Sequence, residues 1–310
     1  MLSLIGMDLR QLQALVAIAD NGSFSSAAAA LHTVQSNVST HISHLERELG
    51  AQLVDRQAGQ LTDEGQAVVE RARRISAELD AMVADISALR DEISGTVRIG
   101  MIGTTARWLA PLLLDCLSVR HPGIHLVIGE GTTATLEPQL LSGAIDAAVI
   151  NAPSVSPELT RRPLFDEDLV LVVADQHPLA GKQRVGLGDL DGMELLLPAP
   201  GTAFREELEQ VTKAASVKLV AKAELDGLRL MAALTVRGYG PAILPATGAV
   251  GAPERFRQVA VTGLPLRRVG VYQRRRGRAS APARAALEIL DEVVAINLKE
   301  QYGLHAPQPR

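Results

Sequence analysis

A single cysteine, Cys116, stands among 310 residues, so no disulfide can form within the chain; this fits a reducing compartment such as the cytoplasm. Aromatic residues make up only 3%, so any core must be assembled from Leu, Val, Ile and Ala. No apolar run reaches the roughly 18–20 residues that a membrane span requires. The opening MLSLIGMDLR lacks both the basic start and the long apolar stretch of a secretory signal. Basic charge is also scarce. The net charge is −4 and the isoelectric point about 6.0. Within residues 1–60 only Arg10, Arg47 and Arg56 stand against Asp8, Asp20, Glu46, Glu48 and Asp55. Such a balance offers nucleic acid no electrostatic invitation. A mean hydropathy of +0.13 is ordinary for a globular protein, and the length suggests two or more domains.

The segment 34–50, VQSNVSTHISHLERELG, is informative. Val34, Val38, Ile42, Leu45 and Leu49 fall on one stripe of an amphipathic helix. The opposite face carries Ser36, Thr40, Ser43 and Arg47, flanked by Asn37, Ser39 and His44. A helix that only covers a core shows water Lys and Glu, which are better helix formers than Ser, Thr and Asn. Before this segment, Leu9, Leu12, Leu15, Val16 and Ala19 form another stripe, stopped by Asn21-Gly22. Ser23 can cap the run FSSAAAAL, and His32-Thr33 turns into the polar-faced helix, giving a helix-turn-helix over about 24–43. The stretch AQLVDRQAGQLTDEG reads as a small β-wing around Ala58-Gly59.

From Gly65 the period changes. Gly65, Val68, Ala72, Ile75, Leu79, Met82, Ile86, Leu89 and Ile93 alternate spacings of three and four, a heptad seam with polar flanks that suits a dimerising helix. Beyond Ser94-Gly95, strand-like and helix-like segments alternate: TVRIGMIG, WLAPLLLDCLSVR, IHLVIGEG, TLEPQLLSG and IDAAVINA in βαβαβ order. LVLVVA, a helix from Phe204, VKLVAKAE, a helix from Leu228, AILP, RVGVYQRR and a helix over Ala281 to Leu298 follow. That order implies a mostly parallel sheet and an α/β class.

The run from Met7 to Arg56, together with LTDEG, HPGIHLVIGEGTT, LLSGAIDAAVI, HPLA and GYGPAILP, resembles the LysR-type transcriptional regulators over nearly the whole chain, Met7 to about Leu298. Because the likeness starts at Met7, translation is expected to begin at Met7 or at Met1. The resemblance implies an N-terminal winged helix-turn-helix, a long linker helix and a two-lobed, periplasmic-binding-protein-like α/β effector domain. The expected bounds are residues 1–65 for DNA binding, 66–94 for the linker helix and 95–298 for the effector domain. Its lobes would take 95–162 with 268–298, and 163–267, crossing near Arg162–Pro163 and Leu266–Arg268; a flexible tail would run over 299–310. The implied partners are promoter half-sites on double-stranded DNA, a small effector, further copies in a homodimer through the linker helix and a homotetramer, and RNA polymerase. The sequence departs from the family at Val34, often a capping Ser or Thr, which leaves Thr33 to cap the helix. It departs also at Val54, commonly Phe, and in the wing QAGQ, which has no basic tip.

A helix laid in the major groove needs short polar groups that reach base edges, and its N-terminal N–H groups can hold phosphate without lysine. Gln35, Ser36, Ser39, Thr40 and Ser43 are therefore the expected readers, with Arg47 and Arg56 on the backbone. In open α/β sheets ligands sit beyond the strand ends near helix N-termini. Thr104, Thr105, Thr132, Thr133 and Asn151 occupy such positions in one lobe, and Thr202 and Asp226 in the other. Their hydroxyls suit a carboxylate or another small anion, or they are helix caps and nothing more.

Enzyme readings have little support. Cys116 lies on an apolar helix as a packed thiol, and neither His41/His44 nor His121/His125 gains a Cys or carboxylate that would complete a metal site. Gly100 and Gly103 do not make a GxGxxG loop, and the run RRRGR at 274–278 reads as a solvated loop. No metal or cofactor is expected. Two rivals remain: a solute-binding protein without DNA function, which would need export, and an architectural DNA binder, whose cleft would be idle.

Overall fold

The computed structural model describes residues 6–56, 59–90, 93–151, 156–249 and 256–308. The chain divides into two compact units, Met1–Val83 with Leu141–Ala144 and Ala84–Leu140 with Ile145–Arg310.

In the first unit, α1 (Leu9–Asn21) opens on a reciprocal cap. The Gln11 N–H donates to the Asp8 carboxylate at 2.9 Å, and the Asp8 N–H donates back to the Gln11 side chain at 3.3 Å. It ends at Gly22 in the left-handed region, as the Asn21-Gly22 pair predicts. The Ser23 hydroxyl caps α2 (Phe24–Ala30), and α3 (Gln35–Leu49) follows after a four-residue connection. Leu12, Leu15, Ile18, Ala27, Val38, Ile42 and Leu45 close the core between the three helices. Val34 and Leu49, at the two ends of the predicted stripe, are exposed. Strands β1 (Val54–Asp55) and β2 (Gln60–Leu61) pair antiparallel as the expected wing, whose tip at 57–58 lies outside the described residues.

Helix α4 (Asp63–Ala88) begins hard against the wing. A Cβ at Gly65 would lie 2.0 Å from the Leu53 carbonyl oxygen, so only glycine fits. Val69 and Ala72 enter the core; Ile75, Met82, Val83 and Ile86 are exposed. The helix ends at Ala88, so Leu89 and Ile93 of the expected seam lie beyond it.

The second unit runs β3 (Gly95–Ile102), α5 (Gly103–Arg120), β4 (Ile124–Gly131), α6 (Thr133–Ser142), β5 (Ala147–Ile150) and β6 (Leu159–Glu167). Then come β7 (Leu169–Ala174), β8 (Arg184–Gly186), β9 (Glu194–Pro198), α7 (Ala203–Ala214), β10 (Val220–Leu225), α8 (Leu228–Val236) and β11 (Ala242–Pro245). A short 3-10 turn (Ala246–Ala249), β12 (Phe256–Thr262), β13 (Arg267–Arg274), α9 (Ala281–Asn297) and β14 (Leu304–His305) complete it. Two six-stranded sheets result, in the orders β14-β6-β13-β5-β3-β4 and β10-β9-β11-β7-β12-β8. In the second sheet β7 is buried along almost its full length: Leu169, Leu171 and Val173 pack on the α7 side, Val170 and Val172 on the α8 side. Covering both faces explains the unbroken apolar run LVLVV.

Three expectations need correction. First, the sheets are mixed: β3 pairs parallel with β4 and β5, but β13 runs antiparallel to β5 and β6, and β7 antiparallel to β11 and β12. Strands that arrive from the other lobe lack the helical crossover that enforces a parallel direction. Second, the lobes first cross at Asp168, between β6 and β7, and not near Arg162–Pro163. Proline ordinarily interrupts a strand, but Pro163 sits at a register shift where β14 does not reach, on what is locally an edge. The return between β12 and β13 agrees with the expected crossing near Leu266–Arg268. Third, the tail after Lys299 is not loose, because β14 pairs with β6 at Glu167 and Asp166 and the Asp168 N–H donates to the Gly303 carbonyl.

Candidate functional site

On α3 the polar face stands as the sequence predicts. Gln35, Ser36, Thr40 and Arg47 are exposed; Ser39 and Ser43 are half-buried. The Thr40 hydroxyl donates to the Ser36 carbonyl at 2.9 Å, a bond that leaves its lone pairs outward. No side chain caps the helix: Val34 cannot, and the Thr33 hydroxyl instead accepts from the Asn37 side chain at 3.0 Å. The Asn37 N–H donates to the Val34 carbonyl at 3.0 Å, which leaves the Gln35 and Ser36 N–H groups, at the positive end of the helix dipole, to meet an anion.

Arg56 is placed by its neighbours. Its Nη2 donates to the Ser43 Oγ at 2.8 Å and lies 3.4 Å from Glu46 Oε2, while Glu46 Oε1 accepts from the N–H groups of Leu53 and Val54. Glu46 thus fastens the wing to α3, and Ser43 is tied to Arg56 instead of standing free to meet a base.

In the second unit the predicted residues separate into two kinds. Thr132 and Thr202 are helix caps: the Thr132 Oγ1 accepts from the Thr135 N–H at 3.3 Å, and the Thr202 Oγ1 from the Arg205 N–H at 3.4 Å. The Thr133 hydroxyl donates to the Asn151 amide oxygen at 3.3 Å. Asp226 is exposed beside Gly227. Thr104 and Thr105, in the first turn of α5, are buried between the lobes.

What the sequence reading missed is a buried charge pair beneath that turn. Arg267 opens β13 at the second crossing, and its Nη1 donates to Glu167 Oε1 at 2.7 Å and to the Thr104 Oγ1 at 3.0 Å. The other carboxylate oxygen of Glu167 accepts from the Thr247 N–H at 3.2 Å and hydroxyl at 2.8 Å, in the 3-10 turn of the opposite lobe. Side-chain exposure is 7% for Arg267 and 0% for Glu167. At such burial the pair persists because each charge needs the other. Above it the hydroxyl of Thr105 and the Trp108 indole N–H are buried without a partner among the described residues. Glu207, near the start of α7, has its carboxyl pushed above the ordinary range by burial, with the Arg267 charge opposing the shift. Nothing in the sequence pairs Glu167 with a residue 100 positions away, although the pair Arg267-Arg268 ahead of the apolar run VGVY was a usable signal.

Across the mouth of the cleft, Arg229 of α8 donates to Glu130 Oε2 at 2.6 Å. Among the described residues no group of three or more metal-ligating side chains gathers, and no helix is long and apolar enough to cross a membrane.

A polar-faced, uncapped helix beside a wing, and a two-lobed unit with a polar cleft, coincide with known models. Residues 9–66 match the bacterial regulatory helix-turn-helix protein of the lysR family, and residues 90–295 the LysR substrate binding domain. The chain belongs to the LysR family. This LysR-family chain is a DNA-binding transcriptional regulator with an effector-binding domain, and its relatives are regulators, not enzymes. It is 31% identical, over 92% of its length and 93% of the relative's, to a Mycobacterium leprae protein named "Probable hydrogen peroxide-inducible genes activator". Full-length Pseudomonas aeruginosa OxyR carrying a cysteine-to-aspartate substitution superposes with a TM-score of 0.76 at 25% identity, covering 98% of this LysR-family chain and 99% of that one. Full-length CbnR complexed with its target DNA gives 0.66 at 26% identity over 94% and 99%.

Proposed function

We propose that α3 enters the major groove with Gln35, Ser36, Ser39 and Thr40 toward base edges, while Arg47 and Arg56 hold phosphates and Ser43 orients Arg56. The observation that carries this reading is the exposed face of Gln35, Ser36 and Thr40 on a helix whose first turn has no side-chain cap. Residues 1–65 form the DNA-binding domain, 66–94 the linker and 95–298 the effector domain, acting in the cytoplasm where the promoter is. Two copies pair along α4, supported by the exposed stripe Ile75, Met82, Val83 and Ile86, and the dimers assemble into a tetramer.

A small anionic effector lies between the lobes at the first turn of α5, against Thr104 and Thr105, with Thr132, Asn151, Thr202 and Asp226 around the rim. The support is the buried hydroxyl of Thr105, which no described residue satisfies. Binding shifts the relation between lobes and so the oligomer on DNA, a coupling of about 1–3 kcal/mol. Although relatives are named for hydrogen peroxide, oxidation to a disulfide within one chain consumes two thiols, and this chain has Cys116 alone. In this reading the signal is carried by non-covalent binding of the effector.

The test is a gel-shift on the upstream region of the protein's own gene, using wild type and S39L/T40L. Sequence-selective binding should disappear in the variant while the helical circular dichroism is unchanged. Retained selectivity would overturn the groove reading. Peroxide should leave the wild-type footprint unaltered; a peroxide-dependent footprint would refute the non-covalent signal.

A further inference from the structure

Among the described residues, Glu167–Arg267 joins neighbouring strands of one sheet at the crossing and Glu130–Arg229 joins the two lobes, and the two pairs differ in what it takes to break them. Glu167–Arg267 lies at the crossing strands, where neither charge has water to fall back on. Glu130–Arg229 lies at the cleft mouth with side chains 44% and 65% exposed, so both partners regain hydration when it opens. The second pair is the one an incoming ligand can exchange.

Its position matters. Glu130 comes from the end of β4, and its Oε1 would be 2.5 Å from a Cβ at Gly103, the first residue of α5. The carboxylate therefore leans over the opening turn of α5, at the positive end of an 18-residue helix with no side-chain cap. Its other oxygen takes the 2.6 Å bond from Arg229, in the first turn of α8 in the opposite lobe. In that same α5 turn Thr105 is wholly buried with a hydroxyl that no described residue satisfies. Bulk at residue 103 would push Glu130 away, which gives a reason for glycine there.

We propose that Glu130 is the cleft's internal occupant: it holds the place of the effector's anionic group and draws Arg229 across the mouth until a small carboxylate or oxyanion displaces it and takes Arg229 over. The proposal rests on the reading of this cleft as the site of an anionic effector. It assigns Arg229 as an effector ligand and Glu130 as a competitor, so that ligand-free closure and ligand-bound closure use the same arginine. The difference between the two states is then confined to which anion fills the turn, and the effector's differential affinity sets the shift.

The experiment uses the full chain as wild type, E130Q, R229Q and E130Q/R229Q, titrated with sulfate and with phosphate at fixed ionic strength. The readout is the fluorescence of Trp108, the chain's single tryptophan, buried in the second turn of α5 with its ring edge-on to Phe165 at 5.3 Å. An exposed pair contributes up to about 1 kcal/mol, so E130Q should bind the probe up to about fivefold more tightly than wild type. R229Q should bind more weakly, and adding E130Q to R229Q should tighten binding by less than E130Q does in the wild type, because one of the two groups Glu130 competes for is gone. Equal effects of E130Q in both backgrounds would mean simple addition of charges and would overturn the latch while sparing the anionic cleft. Failure of E130Q to tighten binding would overturn it too. No response in any of the four proteins would overturn both the latch and the anionic reading.

Discussion

Replacing Arg267 with methionine keeps an unbranched apolar stem, shorter than the arginine, and removes the charge. The Glu167 carboxylate, with 0% exposure, would retain only the Thr247 N–H and hydroxyl as donors. Removing one partner of a buried pair costs about 3–5 kcal/mol. For a folding unit of this size each kcal/mol shifts the midpoint by about 2–4 °C, so R267M should lower the melting temperature by about 6–20 °C. The companion variant E167Q/R267M separates causes. A glutamine oxygen can still accept from both Thr247 donors, and no charge is left to bury, so most of the loss should return. The residue, about 1 kcal/mol, is the hydrogen bond Thr104 no longer receives. Urea and thermal unfolding followed through Trp108 would read this unit directly. A loss below about 1 kcal/mol in R267M, or a double variant no more stable than the single one, would show that the two buried charges do not depend on each other.

Arg47 and Arg56 from each of two subunits can neutralise about four phosphates, so the logarithm of DNA affinity should fall with that of salt at a slope between about −2 and −4, and an anisotropy titration giving −10 would expose a missed basic surface. Gly65→Ala should destabilise the N-terminal unit by about 1–3 kcal/mol, because the added carbon meets the Leu53 carbonyl at 2.0 Å; an unchanged urea midpoint for that unit would refute the close packing. Burial raises the Glu207 carboxyl, so between its unfolded and folded pKa values the folded chain binds more protons, and stability falls as pH rises through that window. Glu207→Gln should therefore be more stable than wild type at neutral pH and lack that fall, and superimposable pH–stability curves would contradict it.

The parts legible in the sequence are those governed by short-range rules. Asn21-Gly22, Ser23 and the 34–49 stripe state a helix-turn-helix because caps, stops and 3.6-residue periodicity act within a turn or two. The helix after Gly65 was readable for the same reason as far as Ala88, and Ile75, Met82 and Ile86 are exposed along it. Strand β6 was not readable, because Pro163 is tolerated only through an edge position that tertiary pairing creates. The threonines illustrate the limit within the site. Thr104 and Thr132 occupy alike positions after strands, yet one meets a buried arginine and the other closes its own helix turn. Local sequence cannot tell them apart, since the difference lies in Arg267, which is 163 positions from Thr104.

The strand β14 has a consequence for how the protein is made. His305 reaches back to Asp168 at 3.0 Å over a separation of 137 residues. At a ribosomal pace of about 5–20 residues per second, the crossing strand emerges roughly 7–27 s before the segment that covers its edge. During that interval the edge of the crossing strand at Asp166 and Glu167 waits without the partner that will close it.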